Sequence, residues 1–305
     1  MNYIRVKRLT KKFLACALAM ALSVVVAMPM TAQATEANAM TFYAEIQAKE
    51  AAKALKEQIS QTFTMEKKST TTSHVKEMGY ICYRAVESKE EKLPLVIYLH
   101  GKDGCGSNLD RLLQIEGIPQ YIDRGLIYPN AVVIAPQCPS GSNWTKLADD
   151  VMELIEQVIE EENIDPSRIS LTGASLGGIG TFNIAIKNPT FFSAVVPVCG
   201  SVNAGNCKVL TDVEVKIFHG TLDTGMGFSC KTAAQVITDN GGRCELNMLE
   251  GEGHEIRHVY VDEEYDLVNW MIAQQRSEMV QEEVEASGAT AQTVETADTI
   301  IDSLN

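Results

Sequence analysis

Gly173-Ala174-Ser175-Leu176-Gly177 places a serine between two glycines at a strand-to-helix junction. The arrangement fits a nucleophile elbow, a tight turn that lifts a hydroxyl clear of the backbone where an imidazole can reach it. Glycines at both flanks suit it, because the serine must adopt a strained conformation while strand and helix pass too closely for side chains. The chemistry such a turn supports is nucleophilic attack on an acyl carbon. A G-x-S-x-G match alone is weak, so its surroundings must carry the reading.

The segments that would hold this serine are legible on either side. Arg168-Ile169-Ser170-Leu171-Thr172 reads as a short buried strand, fed by a turn at Asn163-Ile164-Asp165-Pro166. Leu176 to Lys187 reads as a helix stopped by Asn188-Pro189. From about His74 strand and helix patterns alternate, with apolar runs at Tyr80–Val86, Leu95–Leu99, Ala131–Ala135, Ala194–Val198, Val213–Phe218 and Cys244–Leu249. Lys146–Glu161 is an amphipathic helix, and Ser229–Asn240 and Asp262–Ile272 are shorter ones. The pattern predicts an α/β fold, a mostly parallel twisted sheet with helices on both faces. Ligands of such sheets gather at the carboxyl ends of the strands, and His219-Gly220-Thr221-Leu222-Asp223 and Gly251-Glu252-Gly253-His254 follow two strands in succession.

The order Ser175, Asp223, His254 and the placement of each after a strand resemble the α/β-hydrolase scheme. Over about His74 to Arg276 the chain is similar to the esterase and dienelactone-hydrolase-like group, near secreted peptidases and feruloyl- or acetyl-esterase-like proteins. The resemblance implies Ser175 as nucleophile, His254 as base and Asp223 as the acid that orients it, with no cofactor and no metal. It also implies an oxyanion hole from the backbone N–H of Leu176 and one from the His100-Gly101-Lys102 loop, Gly101 or Lys102. Lys102-Asp103-Gly104-Cys105-Gly106 departs from the group, whose members more often carry small residues and an acidic turn there. Gln137 and Trp144 match positions that such enzymes turn toward substrate, though Trp144 is equally suited to anchoring its loop. His100 and His219 read as backbone-orienting residues.

A rival motif overlaps the base. His254-Glu255-Ile256-Arg257-His258 satisfies H-E-x-x-H, which on a helix would place two imidazoles on one face for zinc. Gly251-Glu252-Gly253 breaks a helix just before it, and Val259-Tyr260-Val261 is a poor helix former just after. The zinc metalloprotease reading also leaves Ser175 and Asp223 unexplained. A third possibility is an inactive binding module on the same fold. Only 14 residues, Cys199 to Asp212, join the strands where many relatives insert a cap domain, so no large cap and an open cleft are expected. That cleft suits a small-molecule ester or a bulky, polysaccharide-linked one, with a peptidase as the alternative.

The chain has 305 residues, 45% of them hydrophobic, enough for a sizeable core. Arg5, Lys7, Arg8, Lys11 and Lys12 precede an apolar run at Phe13–Met30 and a small-residue site at Ala32-Gln33-Ala34, the pattern of a secretory signal peptide over residues 1–34. A secreted protein with no stable membrane anchor after cleavage is expected. Removal of that segment leaves 21 basic against 40 acidic residues, a net charge of −19 that makes nucleic acid an unsuitable partner. Residues 35–73 read as an exposed helix and polar linker, 74–276 as the catalytic domain, and 277–305 as an acidic tail with seven acidic and no basic residues. Seven cysteines follow the signal segment, and a disulfide among Cys199, Cys207, Cys230 and Cys244 is expected.

Overall fold

The computed structural model describes residues 63–86, 92–224 and 227–276. The segments expected as a signal peptide, as a helix ahead of residue 63 and as an acidic tail lie outside these residues. Eight strands form one sheet: β1 (Phe63–Thr70), β2 (Met78–Ala85), β3 (Leu93–Leu99), β4 (Val132–Pro136), β5 (Ile164–Ala174), β6 (Ala194–Val198), β7 (Glu214–Gly220) and β8 (Arg243–Leu249). Their spatial order is β1-β2-β4-β3-β5-β6-β7-β8. β1 and β2 pair antiparallel, as do β2 and β4, and every pair from β4 to β8 is parallel. Helices α1 (Ile118–Asp123), α2 (Ala148–Glu161), α3 (Leu176–Lys187) and α4 (Gly227–Asp239) lie between strands, and α5 (Leu267–Ala273) follows β8.

The central strands read as unbroken apolar runs because both sheet faces are covered: every residue of β3, β4 and β6 is buried. Helix α2 turns Val151, Leu154, Ile155 and Val158 inward, and α3 spans the residues its sequence pattern indicates. β8, at the far edge, is mostly half-buried or exposed.

Two local expectations give way. The polar run Lys67-Lys68-Ser69-Thr70, read as linker, is strand: β1 pairs with β2 from Phe63↔Ala85 to Thr70↔Met78, so the sheet begins before residue 74. It is an edge strand, which needs little apolar alternation and is shielded from further pairing by charge. Lys68 reaches Glu162 at 3.1 Å, and Arg84 reaches the same carboxylate at 2.6 Å. Of the turn expected at Asn163–Pro166, Asn163 lies in a turn just before β5, and Ile164–Pro166 lie inside the strand, at a register shift between Leu93 and Leu95. Asp165 Oδ1 accepts from Ser167 N and Oγ there, so the turn chemistry continues into the start of the strand it was expected to precede.

The expected disulfide is not formed. All seven cysteines of the described residues are free thiols, and burial pushes those of Cys199, Cys207, Cys230 and Cys244 up to about 12. Cys230 Sγ instead donates to the Gly200 carbonyl at 3.0 Å. Among the described residues no helix is long and apolar enough to cross a membrane. Between β6 and β7 there is one short 3-10 helix, Ala204–Val209, and no cap domain.

Candidate active site

The end of β5 and the start of α3 make the elbow. Ser175 sits between them with φ 58° and ψ −115°, a left-handed conformation that a serine adopts only under constraint. The constraint is visible: Ser175 N–H donates to Val198 O at 2.9 Å, and its carbonyl accepts from Ile179 N at 3.0 Å. The glycine after it allows the approach, since a Cβ on Gly177 would lie 1.8 Å from the Leu99 carbonyl oxygen. Helix α3 therefore rests its first turn on the carboxyl end of β3.

His254 and Asp223 arrive from the loops after β8 and β7. His254 Nε2 lies 2.7 Å from Ser175 Oγ and Nδ1 lies 2.6 Å from Asp223 Oδ2. With Asp223 as carboxylate, Nδ1–H donates to it and Nε2 is left to accept the serine proton. Backbone bonds between the two loops hold this geometry: Thr221 N to Leu249 O at 3.0 Å and Leu222 N to Glu252 O at 2.8 Å. Gly251 N adds a bond to Thr221 Oγ1 at 2.9 Å. The acid is the more enclosed partner, with Asp223 13% exposed in its side chain against 33% for His254. His219, fully buried, orients the acid's backbone as expected: Nε2 faces Asp223 O at 3.2 Å.

The third wall is the loop after β3. Leu176 opens α3, and the first-turn N–H groups of a helix lack intrahelical acceptors. Gly101 and Lys102 begin the loop beside it, where a Cβ on Gly101 would lie 3.5 Å from Ala174 O. Three side chains brace this loop from below. His100 Nδ1–H donates to Gly101 O at 2.6 Å, and Nε2 accepts from Cys138 N at 3.0 Å, which fixes the neutral tautomer. Burial lowers the His100 pKa to about 4, keeping that tautomer dominant.

Gln137 and Trp144, expected to face substrate or, for Trp144, equally to anchor its loop, supply the other two braces. Trp144 is fully buried, donates Nε1–H to His100 O at 2.9 Å and sets its ring edge-on to the imidazole at 4.9 Å. Gln137 is 3% exposed, and its Nε2 donates to Gly104 O at 2.9 Å and to Asn108 O at 3.0 Å. Trp144 Nε1 and Gln137 Nε2 are thus spent on shaping the loop, while Gln137 Oε1 is buried without a hydrogen-bond partner.

Sequence reasoning missed a fourth tie. Arg257 is buried and meets Asp103 with two nitrogens, Nη1 to Oδ2 at 3.0 Å and Nη2 to Oδ1 at 3.3 Å. This fork joins the His254 loop to the Lys102–Gly104 turn. Its signal was hidden, because Arg257 stands in the middle of the apparent H-E-x-x-H. That motif does not lie on an α-helix: His254 precedes a short 3-10 helix, Arg257–Tyr260, so His254 and His258 do not share the helix face that the zinc reading requires. Among the described residues His258 joins no group of potential metal ligands.

The prolyl oligopeptidase family matches residues 140–216, which include Ser175. A curated relative, the bifunctional acetylxylan esterase/xylanase XynS20E of Neocallimastix patriciarum, is 28% identical over 146 residues. The match covers 44% of this chain but only 20% of that protein, so the chain corresponds to about a fifth of its length. Among solved structures, a thermostable esterase is similar with a TM-score of 0.61 and 22% identity, covering 72% of this chain and 64% of its own. The CE1 ferulic acid esterase of Anaeromyces mucronatus is similar with a TM-score of 0.53 and 16% identity, covering 70% of this chain and 90% of its own. At these identities the structural likeness speaks to the fold.

Proposed function

We propose that this chain, an α/β-hydrolase by fold, cleaves carboxylic esters through an acyl-enzyme on Ser175. The observation that carries the reading is the continuous path from Ser175 Oγ through His254 to Asp223, with steps of 2.7 and 2.6 Å. In the proposed cycle Oγ attacks the ester carbonyl as His254 Nε2 takes its proton, and Asp223 stabilises the imidazolium. The N–H of Leu176 and one from Gly101 or Lys102 meet the oxyanion that forms. His254 then returns the proton to the departing alkoxide, leaving the acyl group on Ser175. Water, activated by the same imidazole, releases the acid.

The substrate class rests on access. The short β6–β7 connection leaves room for a bulky leaving group, and the esters favoured here are polysaccharide-linked. The curated relative's name, which includes acetylxylan ester cleavage, supports that choice. Export follows from the basic and apolar pattern of residues 1–34. The prolyl oligopeptidase match keeps a peptidase as the second reading, since acyl transfer from an amide uses the same three side chains.

Turnover of acetylated xylan, feruloyl oligosaccharide, p-nitrophenyl acetate and a dipeptidyl anilide by wild type and Ser175→Ala tests the proposal. Release of acetate or ferulate by wild type alone is expected. Selective cleavage of the anilide would move the assignment to the peptidase, and no turnover of any of them would count against both.

A further inference from the structure

A thiol stands against the acid and base, and the proposed hydrolysis does not use it. Cys199 follows β6, holds φ 48°, donates its N–H to Phe218 O at 2.9 Å and is 1% exposed. Its Sγ, a carboxylate oxygen of Asp223 and a ring nitrogen of His254 all lie within 4.8 Å of one another. Thiolate, imidazole and carboxylate form the donor set that zinc and its heavier congeners take, in contrast to the all-oxygen sets of magnesium and calcium.

We propose that Cys199, Asp223 and His254 form a binding site for a thiophilic divalent cation, zinc or cadmium, whose occupation switches hydrolysis off. Zinc bonds of roughly 2.0–2.3 Å set tetrahedral donors about 3.3–3.6 Å apart. The His254 Nδ1–Asp223 Oδ2 pair, at 2.6 Å, opens by about 0.7–1 Å to admit the ion, and since no pair exceeds 4.8 Å none closes by more than about 1.5 Å. The cation displaces the thiol proton to solvent and bonds Sγ. It takes His254 through Nδ1, so the one proton of the neutral imidazole moves to Nε2. An imidazole that carries its proton on Nε2 can no longer accept one from Ser175.

The same surroundings give selectivity. The one sulfur donor of the set, Cys199, is buried, so a cation with strong affinity for sulfur is held in preference to magnesium or calcium, which take oxygen donors. Entry is from the side of His254, a third of whose side chain is exposed. The donor set shares His254 with the H-E-x-x-H motif but none of that motif's other residues, and it opposes hydrolysis where the motif would perform it.

The site itself is independent of the hydrolase reading, and its inhibitory effect rests on that reading, so two measurements separate them. Cobalt(II) titrated into Ser175→Ala should raise a thiolate-to-cobalt charge-transfer band, absent when Cys199→Ser is added. Zinc titrated into wild type hydrolysing p-nitrophenyl acetate should inhibit reversibly, with activity restored by EDTA, while magnesium does not inhibit. Each variant is read against its own metal-free rate. Cys199→Ser should raise the zinc concentration for half-inhibition at least tenfold, and Cys105→Ser, which alters a half-buried thiol in the neighbouring loop, should leave it unchanged. Cys199→Ala replaces Cys199→Ser if circular dichroism shows that the latter does not fold. Unchanged zinc sensitivity in the Cys199 variant, a cobalt band that survives it, or equal inhibition by magnesium would overturn the proposal. Absence of metal-free hydrolysis with the cobalt band intact would instead overturn the hydrolase reading.

Discussion

Gly177→Ala tests whether close approach of α3 to β3 is what sets the nucleophile. The added Cβ would sit 1.8 Å from Leu99 O, 2.6 Å from Leu99 C and 2.9 Å from His100 O, all backbone atoms that no rotamer can clear. Reaching even 3.0 Å from Leu99 O requires the first turn of the helix to retreat by about 1.2 Å. Overpacking of this kind costs about 3 kcal/mol, and the better helix propensity of alanine offsets at most about 1, leaving a net loss of roughly 2 kcal/mol. The larger effect falls on turnover, because Ser175 Oγ and the Leu176 N–H ride on the turn that moves. A displacement of about 1 Å at a reacting group lowers rate by roughly 10²-fold. Urea unfolding and kcat/KM on p-nitrophenyl acetate measure the two effects. Gly205→Ala is the control, since a Cβ there meets only Asn203 Oδ1 at 3.7 Å. Wild-type stability and turnover in Gly177→Ala would refute the reasoning.

Other consequences are as specific. Ser175→Ala and His254→Ala should each lower kcat/KM by roughly 10⁴–10⁶, Asp223→Asn by roughly 10³–10⁴, and the triple variant by little more than the worst single one; losses that add would show that the three do not act as a unit. Arg257→Ala and Asp103→Ala should each lower kcat about tenfold with little change in KM, and the double variant should match either single one, a coupling of about 1.4 kcal/mol; additive losses would mean that the fork does not position the loop. Burial depresses the His100 pKa to about 4, while a histidine in the unfolded chain protonates near 6.5. Between those values the unfolded state binds the extra proton, so this stabilisation is complete above about pH 6.5 and is lost as pH falls toward 4. Wild type should lose about 2 kcal/mol more than His100→Gln between about pH 7.5 and pH 5, measured by urea unfolding, and equal losses would refute it.

How far the chain can be read without coordinates differs by element. β5, the elbow and α3 are legible because an apolar β-branched run, two glycines and a helical period succeed one another with no competing signal. Asp223 and His254 are legible because each follows a strand directly. β1 is not, since an edge strand draws its stability from backbone pairing and its side chains carry no alternation. Trp144 and Gln137 look like substrate contacts by position, but position along a loop does not disclose which way a side chain turns, and here both turn inward onto backbone carbonyls. The cysteine pairing fails for the same reason, as spacing says nothing about which sulfurs face each other. Arg257 is a long-range partner of Asp103, and nothing local in either segment announces the other.

The central claim is that Ser175 is a nucleophile activated by His254. Reaction of the full chain with a fluorophosphonate, followed by peptide mass spectrometry, tests it most directly. A single adduct on the peptide holding Ser175 is predicted, lost in Ser175→Ala and much slowed in His254→Ala. Folded wild-type protein that takes no label, or takes it at a serine other than Ser175, would contradict the account.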